Sequence, residues 1–477
     1  MRKIIHDQVK IGEIDISDVS IELDSRDEMP QILRGIQYIW KTPELRDKIF
    51  ELLWELIPEG IDKNNGRDGM SLWRILVLGT IRTNCNIDYD KLQDIANNHS
   101  TLRKILGHSN FDEDRYPRQT LNDNLRWFTK DILDRINQLV VQSGLSLLGK
   151  DSEAALHGRC DSFVVETDVH YPTDINLLWD SIRKVLTLTH RISEHLNLSG
   201  FRQTVHNLKK IKRLFRKVQK LRTKDKKSKK CLDTTDEYIT MVDSFLIQSR
   251  VALDPFINDE YWCITIAEII HYINHGHRQI DQIRRRCFNN ETIPHNEKVF
   301  SLFEDHTEYI KKGKAGVPQE LGLRVCVMNS PEGFILHHQV MVQETDDKVA
   351  IKMVKETQEK FNLKSCSFDK GFHSPSNQKE LRKLLSFCVL PKKGKLSKEE
   401  SVRQNTEEFK TKRRQHSAVE SSINALENHG LDICRDHGLD GFERYVSLSV
   451  LSRNIQVLGK ILHERELKQR RRNRKAA

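Results

Sequence analysis

Three acidic residues, Asp161, Asp369 and Glu420, are the candidates for chemistry in this chain. Carboxylates are the hard oxygen ligands that Mg²⁺ or Mn²⁺ prefers, and two such ions roughly 3.5 to 4 Å apart can assist both ends of a phosphodiester cleavage. Spacing alone does not select these three, because the chain contains 68 Asp and Glu residues. Their selection depends on the elements that carry them.

Five predicted strands and the helices between them would bring the three acids together. A strand pattern begins at Leu156 and contains Asp161, and the motif HYPTD interrupts it. Further along, the segments read as strand LRVCVMN, turn SPEG, strand FILHHQVMV, helix DDKVAIKMVKETQEKF, strand NLKSCSFD, helix SNQKELRKLL and strand SFCVLPKK. From His416 the chain is predicted to be helical nearly to its end. This order predicts a mixed α/β layer with helices against a central sheet, in which acids at the start of the first strand, the end of the fourth and on the last helix converge.

Two helical regions surround the first strand. Residues 30 to 150 contain the apolar run SLWRILVLGTIRT, two short helices with Asp88 and Ser100 as candidate N-caps, and one long helix from Gln119 to Gly144. Such a succession is typical of a helix-turn-helix, and equally of an ordinary helical bundle. Residues from about 175 to 310 again show helical spacing, which predicts an insertion after the first strand.

Charge and cysteine usage limit the partners. The chain of 477 residues has 37% apolar and 31% charged residues, a net charge of +10 and a pI near 9.0, which is compatible with a polyanionic partner. Between Arg202 and Lys230 there are fourteen Lys or Arg residues and one acid, and the chain ends in LKQRRRNRKAA. This run either binds phosphates or solvates a helix face. Nine scattered cysteines without a CxxC motif, no apolar leader and no long apolar run predict a cytoplasmic protein without a membrane partner.

Four segments resemble the catalytic domain of bacterial DDE-type insertion-sequence transposases, most closely the ISNCY type. They are DSFVVETDVHYPTD at 161 to 174, FDKGFHS at 368 to 374, LPKKGK at 390 to 395 and HSAVESSINALENHGLD at 416 to 432. The motifs LQDIA and LRKILG are similar to the helical DNA-binding region that precedes this domain. The resemblance covers nearly the whole chain and implies a ribonuclease H-like mixed sheet flanked by helices.

The resemblance also implies roles for individual residues. Asp161, Asp369 and Glu420 would be the catalytic acids and would hold Mg²⁺ or Mn²⁺, as two ions. Residues expected to contact DNA are Lys392, Lys393, Lys395, Arg413, Arg414 and His416. Glu166 and Asp168 compete with Asp161 for the first position, but strand alternation places Asp161 with Phe163 and Val165 and the other two acids on the opposite face. Downstream of Glu420, where related transposases often have a lysine, this chain has Glu427.

The expected organisation is a helical DNA-binding region at 1 to 150, a catalytic domain at 151 to 174 and 318 to 462, a helical insertion at 175 to 317 and a basic tail at 463 to 477. The resemblance implies hydrolysis at the element's end, followed by attack of the freed 3′-hydroxyl on target DNA. The expected partners are double-stranded DNA, with terminal inverted repeats and target DNA, and a second copy of the chain, in a prokaryotic cytoplasm at the nucleoid. Two alternatives stay open: a metal-dependent nuclease that only hydrolyses DNA, and a catalytically silent DNA-binding protein derived from a transposase.

Overall fold

The computed structural model describes residues 3–5, 12–57, 69–311 and 319–476. Within these ranges the chain forms two compact units. One consists of Met1–Asp168 together with Ile310–Ala477, and the other of Val169–Tyr309. The expected domain boundary between residues 317 and 318 lies outside the described residues.

In the described residues, seven α-helices precede the first strand. They are α1 (Met29–Lys41), α2 (Pro43–Trp54), α3 (Leu72–Asn84), α4 (Tyr89–Asn98), α5 (Ser100–Ile105), α6 (Arg118–Leu125) and α7 (Lys130–Leu147). As its apolar sequence predicts, α3 is buried along its whole length. Asp88 caps α4 as expected, but the residue that caps α5 is His99, not Ser100, because the His99 ring accepts the Leu102 N–H.

The single helix predicted from Gln119 to Gly144 is wrong, because two helices, α6 and α7, occupy this stretch. The chain leaves the helical conformation after Leu125 and buries Phe128. Thr129 has extended backbone angles, and its hydroxyl accepts the Ile132 N–H, so it starts α7 as an N-cap.

The sheet and its helices follow. The elements are β1 (Leu156–Thr167), then α8 (Asp174–Ser193), α9 (Thr204–Lys224), α10 (Lys229–Leu253) and α11 (Cys263–Cys287), then β2 (Glu308–Lys311), β3 (Gln319–Asn329), β4 (Ile335–Met341), α12 (Asp346–Lys360), β5 (Leu363–Phe368), α13 (Pro375–Leu384), β6 (Phe387–Val389), α14 (Lys398–Gln404), α15 (Glu407–His416), α16 (Ala418–Leu426), β7 (Ile433–Cys434) and α17 (Leu439–Ala476). All five strands expected from the sequence are confirmed. The continuous helix expected from His416 is wrong, because β7 separates α16 from α17.

Across the residues that the structure describes, one mixed sheet of seven strands, flanked by helices, organises the first unit. The strand order is β2-β3-β1-β5-β6; β4 also pairs with β3, and β7 also pairs with β1. β3 runs antiparallel to both β1 and β4, whereas β5 runs parallel to β1 and β6 runs parallel to β5. The mixed α/β class expected from the sequence is confirmed.

Each face of the sheet has its own apolar core. Cys160, Cys326 and Met328 point to one face, where they join the core formed with the N-terminal helices, α12 and α17. Phe163 and Val165 point to the other face, where α16 and the first half of α17 cover them. The second unit has a separate core between α8, α9, α10 and α11. No helix within the described ranges combines the length and apolar character needed to cross a bilayer.

Candidate active site

Asp161 lies in the middle of β1, at the point where one neighbouring strand ends. β5 pairs with β1 as far as Cys160, and β7 pairs with it only from Glu166. Asp161 is therefore the first residue of β1 beyond β5, and it is only partly buried. One of its carboxylate oxygens accepts the backbone N–H of Ser162 at 2.8 Å.

Asp369 is beside Asp161 because of the strand register. Cys160 of β1 pairs in parallel with Phe368, the last residue of β5, and both point into the same core. The residues that follow this pair, Asp161 on β1 and Asp369 directly after β5, therefore lie at the same end of the pairing. Asp369 is exposed, and its carboxylate accepts the Gly371 N–H at 3.3 Å, which starts a 3₁₀ turn at Lys370–Phe372.

Glu420 is positioned by the short helix α16. Val419, Ile423 and Leu426 are spaced by four and three residues, and they pack in the core that contains Phe163 and Val165. This packing places α16 over the face of β1 to which Asp161 belongs. Glu420, in the first turn, points to solvent.

A fourth acid, Asp346, joins this group and was not expected from the sequence. It is the first residue of α12, and it accepts a hydrogen bond from the Ser162 hydroxyl at 2.6 Å. Its other oxygen lies 3.0 Å from where a Cβ on Gly371 would be, so a larger residue there would require this carboxylate to shift by a few tenths of an ångström. The only signal in the sequence is a pair of acids at a helix start, which usually interacts with the helix dipole alone.

The four acids are coupled electrostatically. Burial raises the pKa of Asp161 to about 7, and repulsion from Asp369, Asp346 and Glu420 adds to the rise. In the described part of the chain, none of these four carboxylates forms an ion pair with a lysine, arginine or histidine. Among the described residues the group therefore concentrates carboxylates that have no ion-paired cation, and its oxygen donors suit a divalent cation.

The acids do not form a closed set of ligands. No three of them have ligand atoms that all lie within 4.8 Å of one another. Two ions held by different pairs of carboxylates do not require such a set, because each ion can be bound by one or two carboxylates and water.

Within the described residues, the three-residue group that meets the 4.8 Å criterion is His108, Asp112 and Asp114. His108 is buried, and both of its ring nitrogens are already bonded, Nδ1 to Asp112 at 2.8 Å and Nε2 to the Tyr116 hydroxyl at 2.6 Å. Burial lowers the pKa of His108 to about 4, so the ring is neutral. This group closes the loop between α5 and α6, and its histidine has no free nitrogen for a metal.

His416, the last residue of α15, contacts β5 and interacts electrostatically with Asp369 and Glu420. Its Nδ1 is 3.0 Å from the hydroxyl of Ser367, and its Nε2 is buried without a hydrogen-bond partner. Burial lowers the pKa of His416, against the opposing effect of Asp369. The contact joins the end of α15 to the strand that carries Asp369. His416 thus contacts Ser367 within the protein, and the DNA contact that the resemblance implies for it stays a prediction.

The cations expected to contact DNA are distributed unevenly. Lys393 donates to the backbone oxygen of Gly371 at 2.7 Å, which places its ammonium group beside the loop after Asp369. Lys395 is exposed and Lys392 partly exposed in the segment after β6. Arg413 and Arg414 are exposed in the last turn of α15, one turn or more before Glu420.

Comparisons of the chain with protein-family models, with curated proteins and with solved structures found no match.

Proposed function

We propose that this chain is a DDE-type DNA transposase, which cleaves DNA strands at the ends of an insertion sequence and joins them to target DNA. The observation that carries the proposal is the register of β1 and β5. Because Cys160 pairs with Phe368, the two aspartates that the motifs single out are adjacent, although 208 residues separate Asp161 from Asp369 in the sequence. A chance choice among 68 acids would rarely produce this adjacency.

The sheet supports a ribonuclease H-like catalytic domain. Its central strands follow the order β4, β3, β1, β5, β6, with β3 antiparallel to its neighbours and β1, β5 and β6 parallel. This arrangement is consistent with that fold, and the α16 helix would supply its third acid. The N-terminal helices would be the DNA-binding region and α8 to α11 the insertion.

Asp161, Asp369 and Glu420 would hold the metal ions, and Asp346 would complete the charge around them. Bound Mg²⁺ or Mn²⁺ supplies charge to the attacking and leaving oxygens of a phosphodiester. The residues of the chain would bind the ions and orient the DNA. Lys393 would contact a phosphate beside Asp369, and the hydrogen bond from Ser162 fixes Asp346.

The choice of Asp161 over Glu166 has support in the packing. Phe163 and Val165, which alternate with Asp161, lie under the helix that carries Glu420. Glu166 points to the other face of β1.

The proposal also includes partners and a location. Transposition joins two element ends, so we propose a dimer on DNA, with inverted repeats and target DNA as partners, in a prokaryotic cytoplasm at the nucleoid.

Strand transfer is the reaction that tests the proposal. The purified chain is incubated with a labelled duplex that ends in a 3′-hydroxyl at the element's terminus, with a target plasmid and Mg²⁺. We expect joined product, no product in EDTA, and none with Asp369→Asn or Glu420→Gln. The matched control is Asp168→Asn, an exposed acid just beyond β1, which should join at the wild-type rate.

The same assay separates the alternatives. Cleaved DNA without any joined product would replace the transposase with a hydrolytic nuclease. Duplex binding without cleavage under any metal would indicate a silent DNA-binding protein. Unaltered joining by Asp369→Asn would refute the assignment of the site.

A further inference from the structure

Helix α9 in the second unit has a continuous basic surface. Its apolar residues Ile211, Leu214 and Val218 are buried in the core of that unit. The remaining faces carry exposed cations, which are Lys209, Lys210, Lys212, Arg213, Arg216, Lys217, Lys220 and Lys224. We call these eight side chains the α9 basic face. Because the buried residues fix the rotation of the helix, the cations are held toward solvent.

Charge in the second unit is strongly segregated. The segment from Arg202 to Lys230 has fourteen cations and one acid, a net +13 that exceeds the +10 of the whole chain. The rest of the unit, Val169–Tyr309, has nine cations and seventeen acids, a net −8. A helix that only needed solubility would not require this separation, because mixed charges solvate a surface equally well.

The cations of the α9 basic face are not neutralised within the protein. Over the described ranges, no ion pair joins any of them to a carboxylate, although Asp233, Asp236 and Glu237 are exposed on α10. Lys212 contacts a π face, at 5.9 Å from the Trp179 ring.

Like charges at helical spacing weaken a helix slightly. Lys209, Arg213, Arg216 and Lys220 follow one another at intervals of four, three and four residues, so they form one stripe. Each such pair of like charges destabilises the helix in the absence of a counter-charge. A bound polyanion would remove this repulsion.

The shape and chemistry of the surface favour duplex DNA over a membrane. α9 has 21 residues and is therefore about 30 Å long, comparable with about nine base pairs of duplex. A helix that binds at a membrane surface turns apolar side chains into the lipid, but the apolar stripe of α9 is occupied by the core of the unit. What remains exposed is suited to phosphates.

We infer that the α9 basic face is a metal-independent binding surface for the phosphate backbone of duplex DNA. The choice of DNA rather than RNA rests on the proposed function. The inference gives the insertion a role that the acids do not have, since it would hold DNA without distinguishing its sequence.

The salt dependence of binding is the measurement that tests it. Fluorescence anisotropy follows the full chain binding to a random-sequence duplex of about 24 base pairs in EDTA, between about 50 and 200 mM NaCl. The variant K209Q/R213Q/R216Q removes three cations of the stripe. Each lost phosphate contact should lower the slope of log K against log salt by about 0.9, so we expect a decrease of about 2 to 3 and binding at least roughly tenfold weaker at low salt.

The control removes three exposed cations from other helices and loops of the same unit. The variant R191Q/R278Q/K298Q has the same change in net charge, and its slope should equal that of the wild type. A second variant on the same helix, K210Q/K217Q/K224Q, should repeat the loss. All the substituted residues are exposed, and thermal melting would check that each variant is folded.

An unchanged slope in both α9 variants would overturn the inference, and so would equal losses in the α9 and control variants. The inference would also be overturned if the α9 variants kept their binding to duplex DNA but lost binding to single-stranded RNA of the same length or to vesicles containing phosphatidylserine. Failure of strand transfer in a protein whose duplex binding still depends on α9 would refute only the proposed function. If the wild type carries out strand transfer but the α9 variants bind duplex DNA as the wild type does, only this inference would be refuted.

Discussion

Replacing Asp161 by Asn should make the metal-free protein more stable at alkaline pH. The reason is that burial, together with repulsion from three neighbouring acids, raises the pKa of this carboxyl from 3.8 to about 7 in the folded protein. The folded state therefore binds a proton at Asp161 more tightly than the unfolded state does. The contribution of Asp161 to the free energy of unfolding therefore falls as pH rises from about 4 to about 7, and this contribution is lowest above pH 7. Asn has the same shape as Asp and no charge, so the penalty disappears.

The size of the effect follows from the pKa. A change of the pKa from 3.8 to about 7 lowers the free energy of unfolding by about 4 kcal/mol for a group fully shielded from water, because each tenfold change in proton affinity corresponds to about 1.4 kcal/mol. The Asp161 carboxyl is partly exposed, and water screens the repulsion, so we expect about 1 to 3 kcal/mol at pH 8. At pH 5 the carboxyl is mostly protonated in the folded state, and the gain should be less than half as large.

Thermal melting in EDTA measures this difference. We expect the melting midpoint of Asp161→Asn to exceed that of the wild type by a few degrees at about pH 8 and by less at about pH 5. The control Asp168→Asn should melt as the wild type at both pH values. Mg²⁺ at about 100 times its Kd should stabilise the wild type by about 2.7 kcal/mol and the variant by less. A variant that is less stable than the wild type at pH 8, or equally shifted at both pH values, would refute the raised pKa of Asp161.

Two further changes test the surroundings of the site. Asp346→Asn should raise the Mg²⁺ concentration for half-maximal strand transfer by roughly 10- to 100-fold, as expected for loss of a carboxylate that supports metal ligands, whereas Asp347→Asn should leave it unchanged; equal metal dependence of both variants would remove Asp346 from the site. Gly430→Ala should destabilise the protein by about 2 to 4 kcal/mol in urea unfolding, because Gly430 has a φ of +105° and a Cβ there would lie 2.6 Å from the backbone oxygen of Thr83. A Gly430→Ala variant as stable as the wild type would show that this approach can relax.

Strands were predictable here because their signals are local. Four of the strands, β1, β3, β4 and β5, are runs rich in Val, Ile, Cys and Phe. Turn residues bound each run, so the start and the end of each strand can be recognised in the sequence. The alternation that placed Asp161 with Phe163 and Val165 also held, since the latter two share one core. Adjacency of β1 and β5 could not be read from this pattern, because parallel pairing depends on the crossover and not on neighbouring residues.

Other features depended on contacts that no local pattern reports. The sequence before Thr129 is compatible with a continuous helical period, but the chain leaves the helical conformation there, buries Phe128 and starts α7 at the Thr129 cap. Asp346 looks like an ordinary helix-start acid. Its relation to the site arises only when α12 packs so that the carboxylate meets the Ser162 hydroxyl and the space above Gly371. Such residues become functional candidates through tertiary contacts alone.

The distribution of charge connects the proposed reaction to the inferred binding surface. Four carboxylates without an ion-paired cation, within the ranges that the structure describes, would repel a phosphodiester, so this site can approach DNA only when metal reverses its charge. The chain's excess of positive charge is elsewhere in the sequence, between Arg202 and Lys230. Attraction to DNA and catalysis on DNA should therefore separate experimentally. Chelation of metal should abolish strand transfer and leave duplex binding, whereas loss of the α9 cations should weaken duplex binding and leave Mg²⁺-dependent stabilisation of the site.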